Sequence, residues 1–186
     1  MRHLTFATIL GSLALASPAM AEEGSSTSVS KDFAVIGHVP ALCAGGTLSG
    51  DGTFDLGLLI DTTTGLLRTD LSAPDKLLVG SFCTAASTIN VVASPMTAQN
   101  FSSTPPAGFS RTVNYTATAT GWSATAASYS TATSSNPAAT QNRGTPFTGD
   151  IVVGISNFAT GGGSTLRLVS DSDYQGLVTV TLSVAD

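Results

Sequence analysis

The sequence predicts an all-β protein, an immunoglobulin-like antiparallel β-sandwich, on three observations. Apolar residues recur at every second position in about eight short segments, the signature of half-buried strands. Glycine, proline, serine and aspartate punctuate those segments at the short spacing of sandwiches and barrels. No stretch carries the 3.6-residue apolar period of an amphipathic helix.

In chain order, Met1-Arg2-His3 precedes an apolar run from Leu4 to Ala16 and then Ser17-Pro18-Ala19-Met20-Ala21. A positive start, a short apolar centre and an A-x-A end predict a secretory signal peptide over 1–21. The run is shorter than the ~20 apolar residues needed to span a bilayer, and no later segment approaches that length, so no transmembrane anchor is expected. An N-terminal extension over 22–42 and a sandwich domain over 43–186 follow. The expected location is outside the cytoplasm: the periplasm in transit, then the cell surface or the medium.

Within the extension, Phe33, Val35, Gly37 and Val39 fall on one face of an alternating segment, with Asp32, Ala34, Ile36 and His38 between them. Gly37 is the odd member, because a glycine inside a strand marks a close approach by another backbone or a bulky neighbour. After Cys43 a glycine-punctuated turn leads to a short strand through Phe54, Leu56 and Leu58, and Asp61 to Asp75 reads as loop. Lys76–Cys83 alternates through Leu77, Val79 and Ser81, and Ser87–Ala93 through Ile89, Val91 and Ala93. Ser94 to Ser110, with Pro95, Pro105 and Pro106, reads as a polar surface connection. Arg111 to Trp122 resumes the alternation, a weak strand is expected around Ser128 to Thr133, and Pro137 to Pro146 reads as loop. Asp150–Phe158, Thr165–Val169 and Gly176–Ala185 close the set. The last is the clearest, with Val178, Val180, Leu182 and Val184 set against Thr179, Thr181 and Ser183.

Charge and chemistry narrow the function. Seven basic residues face twelve acidic ones, and removal of the signal takes one basic residue and no acidic one, which argues against nucleic acid as a partner. His38 is the only histidine after residue 21, so no histidine-based triad or multi-histidine metal site forms within one chain. No nucleophile elbow, zinc-protease helix or phosphate-cradling loop is present, and the expectation is a protein that is not an enzyme and takes no cofactor. Asp51, Asp55 and Asp61, and the Asp171/Asp173 pair, read as turn chemistry, with calcium as the weaker alternative because the twelve-residue loop with its closing glutamate is missing. Cys43 and Cys83, in an exported chain, are expected to form a disulfide; closing a loop of about 40 residues stabilises a fold by about 4 kcal/mol in the chain-entropy description.

The pattern F-x-V-x-G-x-V-x-x-x-C from Phe33 to Cys43, Leu56-Gly57, the second cysteine at Cys83, and Tyr174-x-Gly176-x-Val178-x-Val180 together resemble the spore coat protein U domain and the chaperone–usher pilin subunits. The resemblance covers most of residues 22–186 and rests on order and spacing. It implies a sandwich lacking one strand, Phe33, Val35, Gly37 and Val39 as a donor strand, and Val178, Val180, Leu182 and Val184 as the edge that accepts one. It also implies a disulfide joining the first two strands, a periplasmic chaperone and outer-membrane usher as partners, and copies of the chain or related subunits as neighbours in a fimbrium or coat. The chain departs from many pilins in ending Ser183-Val184-Ala185-Asp186, with no aromatic residue beside the terminus. The alternative is a self-contained secreted binding or adhesion domain, using Trp122, Tyr129 and the serine-threonine stretch around them as its contact surface.

Overall fold

The computed structural model describes residues 28–185. The signal-peptide reading of 1–21 and the first part of the extension, 22–27, lie outside the described residues. The chain divides into two units, Met1–Gly37 and His38–Asp186.

The second unit is built from short strands: β1 (Cys43–Ala44), β2 (Thr47–Leu48), β3 (Lys76–Cys83), β4 (Ser87–Ala98), β5 (Phe109–Ser110) and β6 (Thr112–Thr120), then β7 (Ala127–Ser130), β8 (Thr140–Arg143), β9 (Phe147–Thr160), β10 (Arg167–Leu168) and β11 (Tyr174–Val184). One 3-10 turn at Pro137–Ala139 is the sole helical element among the described residues. Nine strands form one curled antiparallel sheet in the order β1-β3-β9-β6-β4-β11, with β2 on β3, β7 on β6 and β8 on β4; β5 and β10 form a separate parallel pair. The curl turns where β4 meets β6 through Met96↔Val113 and Thr97↔Thr112, while the other end of β4 pairs on that same side with β8.

The core follows from alternation. Ile89 and Val91 of β4, Tyr115, Ala117 and Ala119 of β6, and Ile151 and Val153 of β9 are buried together with Trp122 and Phe147, and Val113 of β6 is buried outside that cluster. Alanine at 117 and 119 leaves room for Trp122, which is fully buried against Phe147 with ring centroids 4.3 Å apart. Arg143 closes this cluster by lying over the Phe147 ring and donating to the Trp122 carbonyl. Cys43 and Cys83 are direct cross-strand partners and are joined by a disulfide, with Cα atoms 4.1 Å apart.

Several expectations are corrected. The Phe33–Val39 segment is not a strand here, and the segment through Phe54, Leu56 and Leu58 makes no ladder. In the latter, the Asp55 carboxylate accepts from the Gly57 amide and Gly57 takes a left-handed conformation, so the run bends before it can pair. The even alternation expected in β3 is broken by a bulge between Leu78 and Ser81: Leu78 packs on the core before it, Ser81 and Cys83 are buried after it, and Val79 is exposed. The surface connection from Ser94 is partly strand, because β4 continues through Pro95 to Ala98. Strand β8 lies within the stretch 137–146 expected to be loop; its sequence TQNR has no apolar residue, and it is held by its ladder to β4 and an Asn90–Thr140 hydrogen bond. Among the described residues no helix is long and apolar enough to cross a membrane.

Candidate strand-accepting groove

Strand β11 sits at the end of the sheet order and, among the described residues, pairs only with β4. Its register sets Val178, Val180, Leu182 and Val184 against Ala93, Val91, Ile89 and Ser87, all of which point inward. The first three pack on the core, yet all four remain half-buried, because no strand of the described residues pairs with the side of β11 away from β4.

The hydrogen-bond phase sharpens this picture. Ala185 N–H donates to the Ala86 carbonyl at 2.9 Å, which makes that pair a hydrogen-bonded one. Bonded and non-bonded pairs alternate in an antiparallel ladder, so Thr179, Thr181 and Ser183 spend their backbone groups on β4. The amides and carbonyls of Val178, Val180, Leu182 and Val184 therefore face the open edge. The residues with incompletely covered apolar side chains are the same ones with unspent backbone groups.

A groove of about 1100 Å³ opens beside the first part of β11. One wall is residues 52–60, including Phe54, Leu56 and Leu58; the other is Tyr174–Val178; Met96, Tyr115 and Ile155 line the floor. Toward the other end of β11 the gap narrows, where Cys43–Ala44 approaches without a ladder bond. The end behind Tyr174 is closed by residues 168–173. The Asp171 carboxylate holds that segment, accepting from the Asn100 side chain and from the amides of Asn100, Phe101 and Asp173 at 2.8–2.9 Å. These bonds, the Asn100 side chain first, keep Asp171 below the ordinary carboxylate range.

Sequence reasoning located β11 and its inward face, and missed the floor and the end of the groove. Tyr115 is buried and its hydroxyl donates to the Leu177 carbonyl at 3.1 Å, with burial pushing its pKa up to about 12. Gly176 stands at a bulge between Gln175 and Leu177, where an added Cβ would lie 2.9 Å from the Ser94 carbonyl oxygen. A lone glycine inside a strand pattern was the available signal.

The other expected residues fall as follows. Phe33 is 86% exposed and Val35 97% exposed, Val39 is exposed, and a Cβ at Gly37 would meet nothing. His38 is exposed. Asp51 pairs with Lys76, and Asp61 caps its own loop by accepting from the Thr63 and Thr64 amides. The Asp171/Asp173 pair lies in the segment just described, where the Asp173 amide donates to the Asp171 carboxylate. Trp122 is fully buried and is not a contact surface, and Tyr129 is half-buried. Comparison with family models, with curated proteins and with solved structures finds no match for this chain.

Proposed function

We propose that this chain is a structural subunit of a surface fibre or coat, assembled by donor-strand complementation on an incomplete immunoglobulin-like sandwich. The carrying observation is that the β11 edge combines unspent backbone groups with a half-buried apolar face on the same four residues. Such an edge invites another strand or aggregation unless it is covered.

The fitting cover is the Phe33–Val39 segment of another copy. Its four alternating positions match the four inward positions of β11, and its apolar side chains stand exposed in the chain that carries them. Burying one large apolar side chain is worth about 1.5–3 kcal/mol, and strand addition supplies a backbone ladder as well. Gly37 supports this reading. Open space surrounds its missing Cβ and its φ is not positive, so nothing in its own surroundings requires glycine, whereas a shallow point in a receiving groove would. By the resemblance of its motifs, the subunit is exported, held by a periplasmic chaperone and passed through an outer-membrane usher.

The test is the assembly state of the exported protein. The full chain should polymerise, or require a partner to stay soluble; Phe33→Asp and Gly37→Leu should block assembly while leaving the Cys43–Cys83 bond formed. Deleting 22–39 should leave a chain that a synthetic peptide of residues 29–40 stabilises. Protein that stays monomeric at high concentration, with stability and association unchanged by the deletion, would overturn the proposal and favour a self-contained domain.

A further inference from the structure

An edge that waits for another copy has a nearer competitor, the arm of its own chain. The Phe33–Val39 segment is joined to Cys43 through only Pro40, Ala41 and Leu42. Cys43 lies at the narrow end of the gap beside β11, and Ala185, just past β11, donates to the Ala86 carbonyl, two residues beyond Thr84. A segment tethered that closely meets its own groove at an effective concentration on the order of millimolar, far above that of a second copy in dilute solution. Donation between copies therefore needs something that keeps the arm from turning back.

The sequence offers the turn. Val39-Pro40-Ala41-Leu42 places proline at the second position of a reverse turn, where its fixed φ is favoured, and such a turn closes with the Leu42 N–H donating to the Val39 carbonyl. That N–H is spent elsewhere. Leu42 N–H donates to Thr84 Oγ1 at 3.0 Å, the Thr84 hydroxyl reaches the Pro40 carbonyl at 3.2 Å, and the Thr84 N–H donates to the Leu42 carbonyl at 2.9 Å. Residues 39–42 carry neither turn nor bend. Leu42 opposite Thr84 continues the register Cys43↔Cys83 and Ala44↔Phe82 by one residue, so the disulfide stands directly behind these bonds.

We infer that Thr84 is a clamp that directs strand donation to other copies: its hydroxyl holds Pro40–Leu42 in line with the β1–β3 ladder and takes the N–H that a turn back toward the chain's own β11 needs. The inference rests on the proposed function, and Thr84 is a positioning residue for it.

Disulfide capture distinguishes the two destinations of the arm. Chains carrying both Val35→Cys and Val180→Cys, and chains carrying both Val35→Cys and Leu182→Cys, are oxidised at low concentration. Cross-links within a chain give closed monomers, identified by peptide mapping, and cross-links between chains give ladders on a non-reducing denaturing gel. The otherwise unaltered chain should give mainly ladders. Thr84→Val keeps the side chain's shape and the backbone bond to Leu42 but loses the hydroxyl, and should raise the ratio of closed monomer to ladder by roughly fivefold, the scale of one lost hydrogen bond. Thr84→Ala should shift the ratio in the same direction, and Thr84→Ser should restore it. A ratio unmoved by both Thr84→Val and Thr84→Ala, or a parent chain that cross-links mainly within itself, overturns the clamp while leaving the strand-accepting edge intact. Oxidation that yields neither product overturns strand donation itself, and the clamp with it.

Discussion

Strands β6 and β11 carry the same period-two alternation and end in different states. Strand β6 has β9 along one side and β4 and β7 along the other, and Val113, Tyr115, Ala117 and Ala119 are buried. Among the described residues strand β11 has β4 alone as a ladder partner, and its larger residues, Val178, Val180, Leu182 and Val184, stay half-buried. Side-chain size does not explain the difference, since the small alanines are on the fully covered strand. The number of neighbours does. A strand's own sequence specifies which face is apolar, and the rest of the fold decides how completely that face is covered.

The largest effect expected is at the other end of the strand order from β11. The Cys43–Cys83 bond ties β1 to β3 at one end of the strand order. Cys83→Ser should lower global stability by about 4 kcal/mol, measured by denaturant unfolding of the oxidised parent against the variant. Equal unfolding midpoints would show that the bond contributes nothing beyond the ladder it crosses.

The same substitution on the two strands sharpens the comparison. Val113→Ala empties a fully buried site and should cost the isolated subunit about 2 kcal/mol, whereas Val180→Ala acts on a half-covered side chain and should cost about 1 kcal/mol. Association should reverse the order, with Val180→Ala weakening assembly and Val113→Ala leaving it unchanged at matched folded fraction. Equal costs to the lone subunit would mean that the β11 face is as well covered as that of β6.

These contrasts mark what was legible in the sequence. The inward residues of β4, β6, β9 and β11 were visible because each strand writes its own face at period two. Strand β8 was not visible, because an edge strand held by backbone bonds and polar side chains carries no apolar signal. The bulge in β3 was hidden, since Leu77 and Val79 keep the alternation that the backbone breaks. Phe54, Leu56 and Leu58 alternate without a ladder and form a groove wall, so alternation there reported a surface and not a pairing. Trp122 looked like a contact residue only because the space left by Ala117 and Ala119 is a property of packing across strands.

The smallest effect expected concerns the closing segment behind β11. Asp171 is held below the ordinary carboxylate range by the Asn100 side chain first, with burial opposing and the amides of Asp173, Asn100 and Phe101 adding to the lowering. A depressed folded pKa gives stabilisation that is fully present above the unfolded value and is lost as pH falls through the lower folded value. The segment should therefore hold unchanged from neutral pH down to about pH 4 and loosen below it. Tyr174 and Asp173 lie beside Asp171, but the Tyr174 hydroxyl is raised by burial and by Asp171, so it stays protonated through this window. The Tyr115 hydroxyl also stays a donor to Leu177, leaving the bulge locked while the segment behind it releases. Amide exchange at Asn100, Phe101 and Asp173 should accelerate relative to the amides of β6 as pH falls below about 4. In Asp171→Ala that relative protection should be low at every pH. A ratio that stays flat to pH values well below the carboxylate range would mean that the segment is held by the Tyr174–Val169 bond and the β5–β10 pair instead.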